Sequence, residues 1–428
     1  MQTEVKQEGT ETRNLGWMVT MAAMGINLAL GVLYTWSVIS KAIPADWGWT
    51  EAQKSLPYSI AIITFALVMV PAGRLQDRIG PRMVATMGGL FVGAGFILAS
   101  RSTTVTGFIL GFGLLTGIGI GLAYASATPP ALKWFSAKRT GMIAGIVVSG
   151  FGLASVYAAP LANYLTNTYS IQVMMLALGI GFLVLVTILS QLLINPGPGY
   201  RPAETAGAKA AKADPPAAEY TWREMLATPQ FYLVWVLYAF AAGAGLMIVG
   251  KLAKIVQLQG NLEAGFIFVA VLAVGNAAGR VAAGVMSDSL GRINTARIVF
   301  FFQAILIILL TFASADSALG TLAAFALFSA LLGFNYGANL AIFPSITRDY
   351  FGIKNLGINY GLVFTAWGAG GFLLPYISGL VFDKTGAFTL AYYIAAALLV
   401  VAIVLSFALR APAPRHADAA VEQAEQVS

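Results

Sequence analysis

Arg280 is the residue whose position most demands a chemical explanation. It lies in the apolar run 262–287, about eight residues and so roughly 12 Å inside the end of that run at a helical rise. A guanidinium at that depth does not snorkel easily to the interface and needs a partner within the protein. Each of the 18 Asp and Glu residues falls in a tail, a loop or the end of an apolar run. Glu263 and Asp383 come nearest to membrane depth, both at the opposite side from Arg280's own helix end. Without a fixed counter-ion, the planar fork of Arg280 suits a mobile anion, and it can hold a carboxylate by two parallel hydrogen bonds. The alternative is a structural crossing in which backbone carbonyls and water satisfy the charge.

Other groups stand near the same depth in other apolar runs. Asn276 lies one turn before Arg280 and shares its helix face. Asn27, Leu28 and Tyr34 belong to the first run, Tyr124 to the fourth, Tyr336 to the tenth, and Phe364 and Trp367 to the eleventh. Tyrosine and tryptophan combine an apolar wall with one donor, which fits a ligand that is carboxylate at one end and small at the other. Taken singly, each aromatic residue reads more readily as packing. Other chemistries have no residues to work with. There is no cysteine, and the one histidine, His416, lies in the polar tail. Thiol chemistry, disulfides, His-based proton relays and metal clusters are therefore not expected, nor is any cofactor. General acid–base and nucleophilic catalysis lack their usual side chains, and no Gly-x-x-x-x-Gly-Lys-Ser/Thr loop is present to bind a nucleotide. The expectation is a transporter that draws on gradients, not an enzyme.

The elements that must position these residues are membrane helices. Apolar residues make up 58% of the 428 positions and charged residues 10%, a balance suited to a lipid bilayer. The apolar runs exceed the length needed to cross about 30 Å of hydrocarbon, and none alternates as a membrane barrel strand would. Helices are predicted near 15–42, 55–74, 83–100, 107–130, 140–165, 171–194, 229–256, 262–287, 294–314, 318–343, 357–381 and 388–410. The first is too long for a signal-peptide core and is expected to remain in place. A low-complexity polar stretch after Pro196 divides the chain into residues 1–194, a linker at 195–228 and residues 229–428.

Twelve spans put both termini on one side. Eighteen Lys and Arg residues fall on that side and six on the other, with Arg280 left over. This bias predicts cytoplasmic termini in a cytoplasmic membrane. It also explains the net charge of +7 as a topology signal, so no nucleic-acid partner is expected.

A repeat joins the two halves. Gly73-Arg74-Leu75-Gln76-Asp77-Arg78-Ile79-Gly80-Pro81-Arg82 follows the second run, and Gly284-Val285-Met286-Ser287-Asp288-Ser289-Leu290-Gly291-Arg292 follows the eighth. The shared frame is Gly-x-x-x-Asp-x-x-Gly: the first Gly would let helices approach, the Asp sits near a helix end, and the second Gly permits a tight turn. These repeats resemble the loop motif of the major facilitator superfamily, over essentially residues 15 to 410. The resemblance implies an all-α integral membrane protein of two six-helix bundles around a central site that opens alternately to each side. Gly73, Asp77, Arg78, Gly80, Arg82, Asp288, Gly291 and Arg292 would then guide the conformational change, or serve simply as turns and charge anchors.

A closer resemblance lies in Lys133-Trp134-Phe135-Ser136-Ala137-Lys138-Arg139-Thr140-Gly141-Met142-Ile143-Ala144-Gly145 with Gly150-Phe151-Gly152. It is similar to the helix 4–5 signature of monocarboxylate transporters, whose helix 1 signature survives as Asn14-Leu15-Gly16-Trp17. Trp134-Phe135, Phe343-Pro344-Ser345 and Asn359-Tyr360-Gly361 resemble the oxalate–formate antiporter group. Both groups imply a helix 8 arginine that binds substrate carboxylate, and Arg280 falls there. Animal monocarboxylate transporters have a lysine and an aspartate for proton coupling where Leu28 and Asn276 stand. Oxalate carriers have a second cation where Trp367 stands. A single cation in the bundle implies a monoanion such as lactate or pyruvate. The proton could travel with the substrate as symport, or Arg280 could require an anion before every reorientation, which would give exchange. A membrane sensor on the same fold is the reading from outside transport.

Overall fold

The computed structural model describes residues 15–135, 139–197, 200, 219–352 and 355–412. Within them, twelve helices are long and apolar enough to cross a membrane. They are α1 (Gly16–Lys41), α2 (Glu51–Ile79), α3 (Pro81–Ser100), α4 (Val105–Leu132), α5 (Met142–Thr168), α6 (Ile171–Ser190), α7 (Pro229–Gly260), α8 (Gly265–Leu290), α9 (Arg292–Leu310), α10 (Leu322–Phe351), α11 (Leu356–Thr385) and α12 (Thr389–Ser406). Helices satisfy every backbone group internally, which hydrocarbon requires. Asn14, residues 136–138 of the helix 4–5 signature, linker residues 201–218 and His416 lie outside the described residues.

Every predicted span is present, with two informative shifts at the ends. First, α2 and α8 continue to Ile79 and Leu290, so the repeated motif begins inside the helices and not after them. Beyond the hydrocarbon, water tolerates polar side chains on a continued helix, and only the second glycine ends it. Gly80 (φ 88°, ψ 155°) and Gly291 (φ 83°, ψ 149°) adopt the same conformation, one that L side chains rarely adopt. Gly73 and Gly284 do not mediate a close approach in this conformation, because a Cβ at either would meet open space. Second, α7 runs on to Gly260, so Lys251 and Lys254, near the end of the predicted span, lie roughly two turns inside the helix end.

Close approach occurs elsewhere. Gly275 and Gly279 on α8 face Gly333 and Gly337 on α10, and a Cβ on any of the four would collide with backbone of the opposite helix. Paired small residues four apart let two membrane helices touch backbone to backbone, which sets the Asn276 backbone against Gly337, next in sequence to Tyr336. The outer faces carry exposed Ile188, Val281, Val285, Leu327 and Val404, as lipid contact requires. Between the halves, α2 packs on α11, α5 on α8, and the end of α1 on α7. The linker's described ends are pinned: Tyr200 lies 4.9 Å from the Trp134 ring, and the amides of Asn355 and Asn359 donate to the Tyr220 carbonyl.

Candidate substrate site

At the centre, where α1, α2, α4, α5, α8, α10 and α11 converge, the side chains singled out above mostly meet. Arg280 is partly buried. Its Nε donates to Asn276 Oδ1 at 2.9 Å, the bond expected one turn apart on one helix face. Its Nη1 donates to the Val148 carbonyl of α5 at 2.9 Å, so the guanidinium bridges the two halves. Gly152 permits this: a Cβ there would stand 3.4 Å from Asn276 Oδ1 and 3.6 Å from Arg280 Nε, and a larger side chain would occupy the guanidinium's place. Among the described residues Arg280 forms no ion pair, and Asn276 Nδ2 is buried without a partner.

An aromatic wall encloses the charge. Tyr34 and Tyr336 hydroxyls are 2.8 Å apart, and Trp367 Nε1 donates to the Tyr336 oxygen at 2.9 Å. Trp367 stacks on Phe364 with centroids 4.8 Å apart. Phe65 of α2 joins this pair to Tyr124, at 5.3 Å from both Trp367 and Tyr124, while Phe151 of α5 stands edge-on to Tyr34 at 5.0 Å and to Tyr124 at 5.4 Å. Tyr34, Tyr124 and Tyr360 all lie within electrostatic reach of Arg280. Asn27 and Leu28 have no described tie to this group: Asn27 is buried with its Nδ2 donating to the Val147 carbonyl. Leu28 is partly buried, and its carbonyl accepts from the Tyr157 hydroxyl.

Several participants escaped sequence reasoning. Val148 acts through a backbone carbonyl, which no side-chain type signals. Phe65 stands in an apolar run with nothing to distinguish it. Phe151 and Gly152 did carry a signal, the glycine pair flanking Phe151, and Tyr360 stood in a quoted motif. The count of one cation in the bundle also needs correction. Lys251 is 3% exposed and pairs with Glu51 of α2 at 3.2 Å. It was missed because a helix end seen in sequence gives no burial, and Glu51 precedes the predicted start of its helix. At Arg280 itself, the charge balance remains that of a single cation.

The motif residues occupy the end of the bundle that bears the chain termini. Asp77 is exposed and accepts from Gln76, and Arg78 and Arg82 are exposed. In the second half, Arg292 pairs with Asp288 at 2.6 Å and with Asp349 at 3.0 Å. The contacts described between halves extend from the opposite end, here called the far end, to Val70 beside Gly361. Trp36, Tyr58 and Tyr34 are buried above the site. The far side of the site is therefore closed.

The sequence model of the Major Facilitator Superfamily matches residues 15–329 and 262–427. The chain is 27% identical to the oxalate:formate antiporter of Oxalobacter formigenes, covering 84% of each protein. It is 29% identical to monocarboxylate transporter 13 of Bos taurus, over 90% of this chain and 87% of that protein. Among solved structures, a bacterial homologue of the human lysosomal transporter Spinster, described as inward-facing and unoccupied, matches with a TM-score of 0.69 at 15% identity, covering 94% of this chain and 98% of the other. That likeness is one of fold.

Proposed function

The chain belongs to the Major Facilitator Superfamily, and on that premise we propose that it carries small monocarboxylates of the lactate and pyruvate class together with a proton, by alternating access. Residues 1–194 and 229–428 would form the two bundles that rock about the central site, joined by the linker 195–228. The observation that carries the reading is Arg280: a partly buried guanidinium at mid-span with no carboxylate partner among the described residues. A substrate carboxylate would take the guanidinium's open edge and satisfy the unpartnered Asn276 Nδ2. Tyr336 accepts from Trp367 and so would donate its own proton to Tyr34, leaving the Tyr34 hydroxyl free to donate to the anion. Phe65, Phe151, Phe364 and Tyr124 would wall the substrate's small apolar end. The named relatives, an oxalate:formate antiporter and a monocarboxylate transporter, support small organic anions as the class.

The bond from Arg280 to the Val148 carbonyl supports symport over obligatory exchange, because it gives the guanidinium a partner when no anion is bound. An empty carrier can then reorient with the guanidinium hydrogen-bonded to a carbonyl dipole. No carboxylate or histidine stands beside Arg280 among the described residues, so the proton is assigned to the substrate's carboxyl group. The excess of Lys and Arg on the terminal side supports cytoplasmic termini in a cytoplasmic membrane. Gly73, Asp77, Arg78, Gly80, Arg82, Asp288, Gly291 and Arg292 would steer closure of that side.

Radiolabelled L-lactate uptake into proteoliposomes tests this. Accumulation in empty vesicles driven by an inward proton gradient is expected, with loss of about 100-fold in Arg280→Gln, the effect of removing a charge-assisted pair. Uptake only into anion-loaded vesicles would replace symport by exchange, and normal uptake by Arg280→Gln would remove the site assignment.

A further inference from the structure

At the far end, where α1, α2, α7 and α11 meet, a second cationic site is built around one carboxylate. Glu51 opens α2 and is buried. It receives Lys254 at 2.7 Å, Lys251 at 3.2 Å and Lys54 at 3.3 Å. Asp383 of α11 is committed elsewhere: its two oxygens accept the backbone N–H groups of Glu51 and Ala52 at 2.7 and 2.8 Å, capping the start of α2. Glu263 pairs with Lys41 at 3.3 Å. Lys254 also lies 4.1 Å from the centroid of the Phe382 ring. Between these groups is a cavity of about 150 Å³ lined by Ser40, Lys41, Glu51, Lys54, Lys254 and Gln257. Its lining holds three ammonium groups and one carboxylate.

We propose that Lys251 and Lys254 form an entry site for a carboxylate anion at the far mouth, with Glu51 as the internal stand-in that occupies it while the mouth is closed. The reasoning rests on which helix carries which charge. Lys251 and Lys254 are three apart on α7 and share a face, whereas Glu51 and Lys54 belong to α2. Opening the far mouth parts α2 from α7. Glu51 then leaves with Lys54 as its partner; Lys254 keeps Asp383 of its own half within electrostatic reach, and Lys251 enters the mouth without its one ion-pair partner among the described residues. An incoming carboxylate replaces Glu51, so the mouth opens most readily when an anion is there to receive it. The cation-rich cavity also concentrates anions at this mouth.

The inference rests on the proposed carriage of carboxylates, and one experiment separates their failures. L-lactate KM is measured from the far side for wild type, Lys251→Gln/Lys254→Gln, and the triple variant that adds Glu51→Gln, which leaves no buried carboxylate short of partners. Both variants are expected to raise the far-side KM about tenfold, the effect of losing a charge-assisted hydrogen bond. Lysines that only lock the mouth predict the opposite sign, because releasing a lock populates the open mouth and lowers that KM. An unchanged or lowered KM in the triple variant overturns the proposal. If wild type moves no lactate, the functional reading fails by itself, and the entry site is judged by thiol labelling of Gln257→Cys. Saturable protection by acetate that disappears in the double lysine variant supports the site, and absence of protection overturns it.

Discussion

At Arg280 the geometry of the fork matters as well as its charge. Nε and Nη1 are engaged by Asn276 and Val148, so the group is held in one plane with its remaining edge open. A lysine would keep the charge but not that orientation. Arg280→Lys is expected to raise the substrate KM at least about tenfold, read in proteoliposome uptake. Retained wild-type KM would mean that charge alone suffices. A second test addresses the hydroxyl chain. Trp367→Phe removes the donor to Tyr336 while keeping the ring on Phe364, leaving the Tyr336 oxygen free to accept from Tyr34, whose proton then no longer reaches the anion. About 1 kcal/mol, or a several-fold loss of affinity, is expected. No change would show that the Tyr34–Tyr336 bond holds its direction without the indole. Arg280 and Asn276 were legible in the sequence because a charge deep in an apolar run is rare and their spacing puts them on one face. Val148 was not, since its carbonyl gains its role only where α5 meets α8.

The helices place these residues through contacts made by what is absent. The four glycines between α8 and α10 let Asn276 and Tyr336 approach from neighbouring helices. Gly279→Leu would drive its side chain into the backbone at Phe334, and a loss of about 3 kcal/mol is expected, visible as a lowered unfolding temperature in detergent. Gly284→Leu, on the same helix with open space beside it, is expected to unfold as wild type does. Equal effects of the two would mean that the glycine ladder does not hold α8 and α10 together. The spacing of these glycines was in the sequence, as was the helical content, but the pairing of α8 with α10 was not. Four-residue spacing marks a face and leaves its partner undetermined.

On the scale of the molecule, the far mouth is closed. The closed far end is held by Glu51 with the α7 lysines and by Asp383 on the start of α2. The absence of cysteine makes this state easy to trap. Glu51→Cys/Lys254→Cys, joined by a reducible bifunctional thiol reagent, is expected to stop lactate transport and to regain it on reduction. Transport at full rate with the cross-link intact would show that α2 and α7 need not separate there.

The sequence by itself determined twelve spans, a duplicated architecture and an unpaired arginine at membrane depth, because each follows from local composition and spacing: hydrocarbon thickness sets the run length, and the cost of a buried charge makes it conspicuous. It also located the turn glycines Gly80 and Gly291, whose backbone conformation is a local property. Only the tertiary structure decided that Phe65, Val148, Phe151 and Tyr360 surround or reach Arg280, and that Lys251 is a buried cation neutralised by a residue 200 positions away. Such pairings depend on how helices from the two halves face one another. That arrangement is fixed by packing across the whole bundle, so no window along the chain contains it.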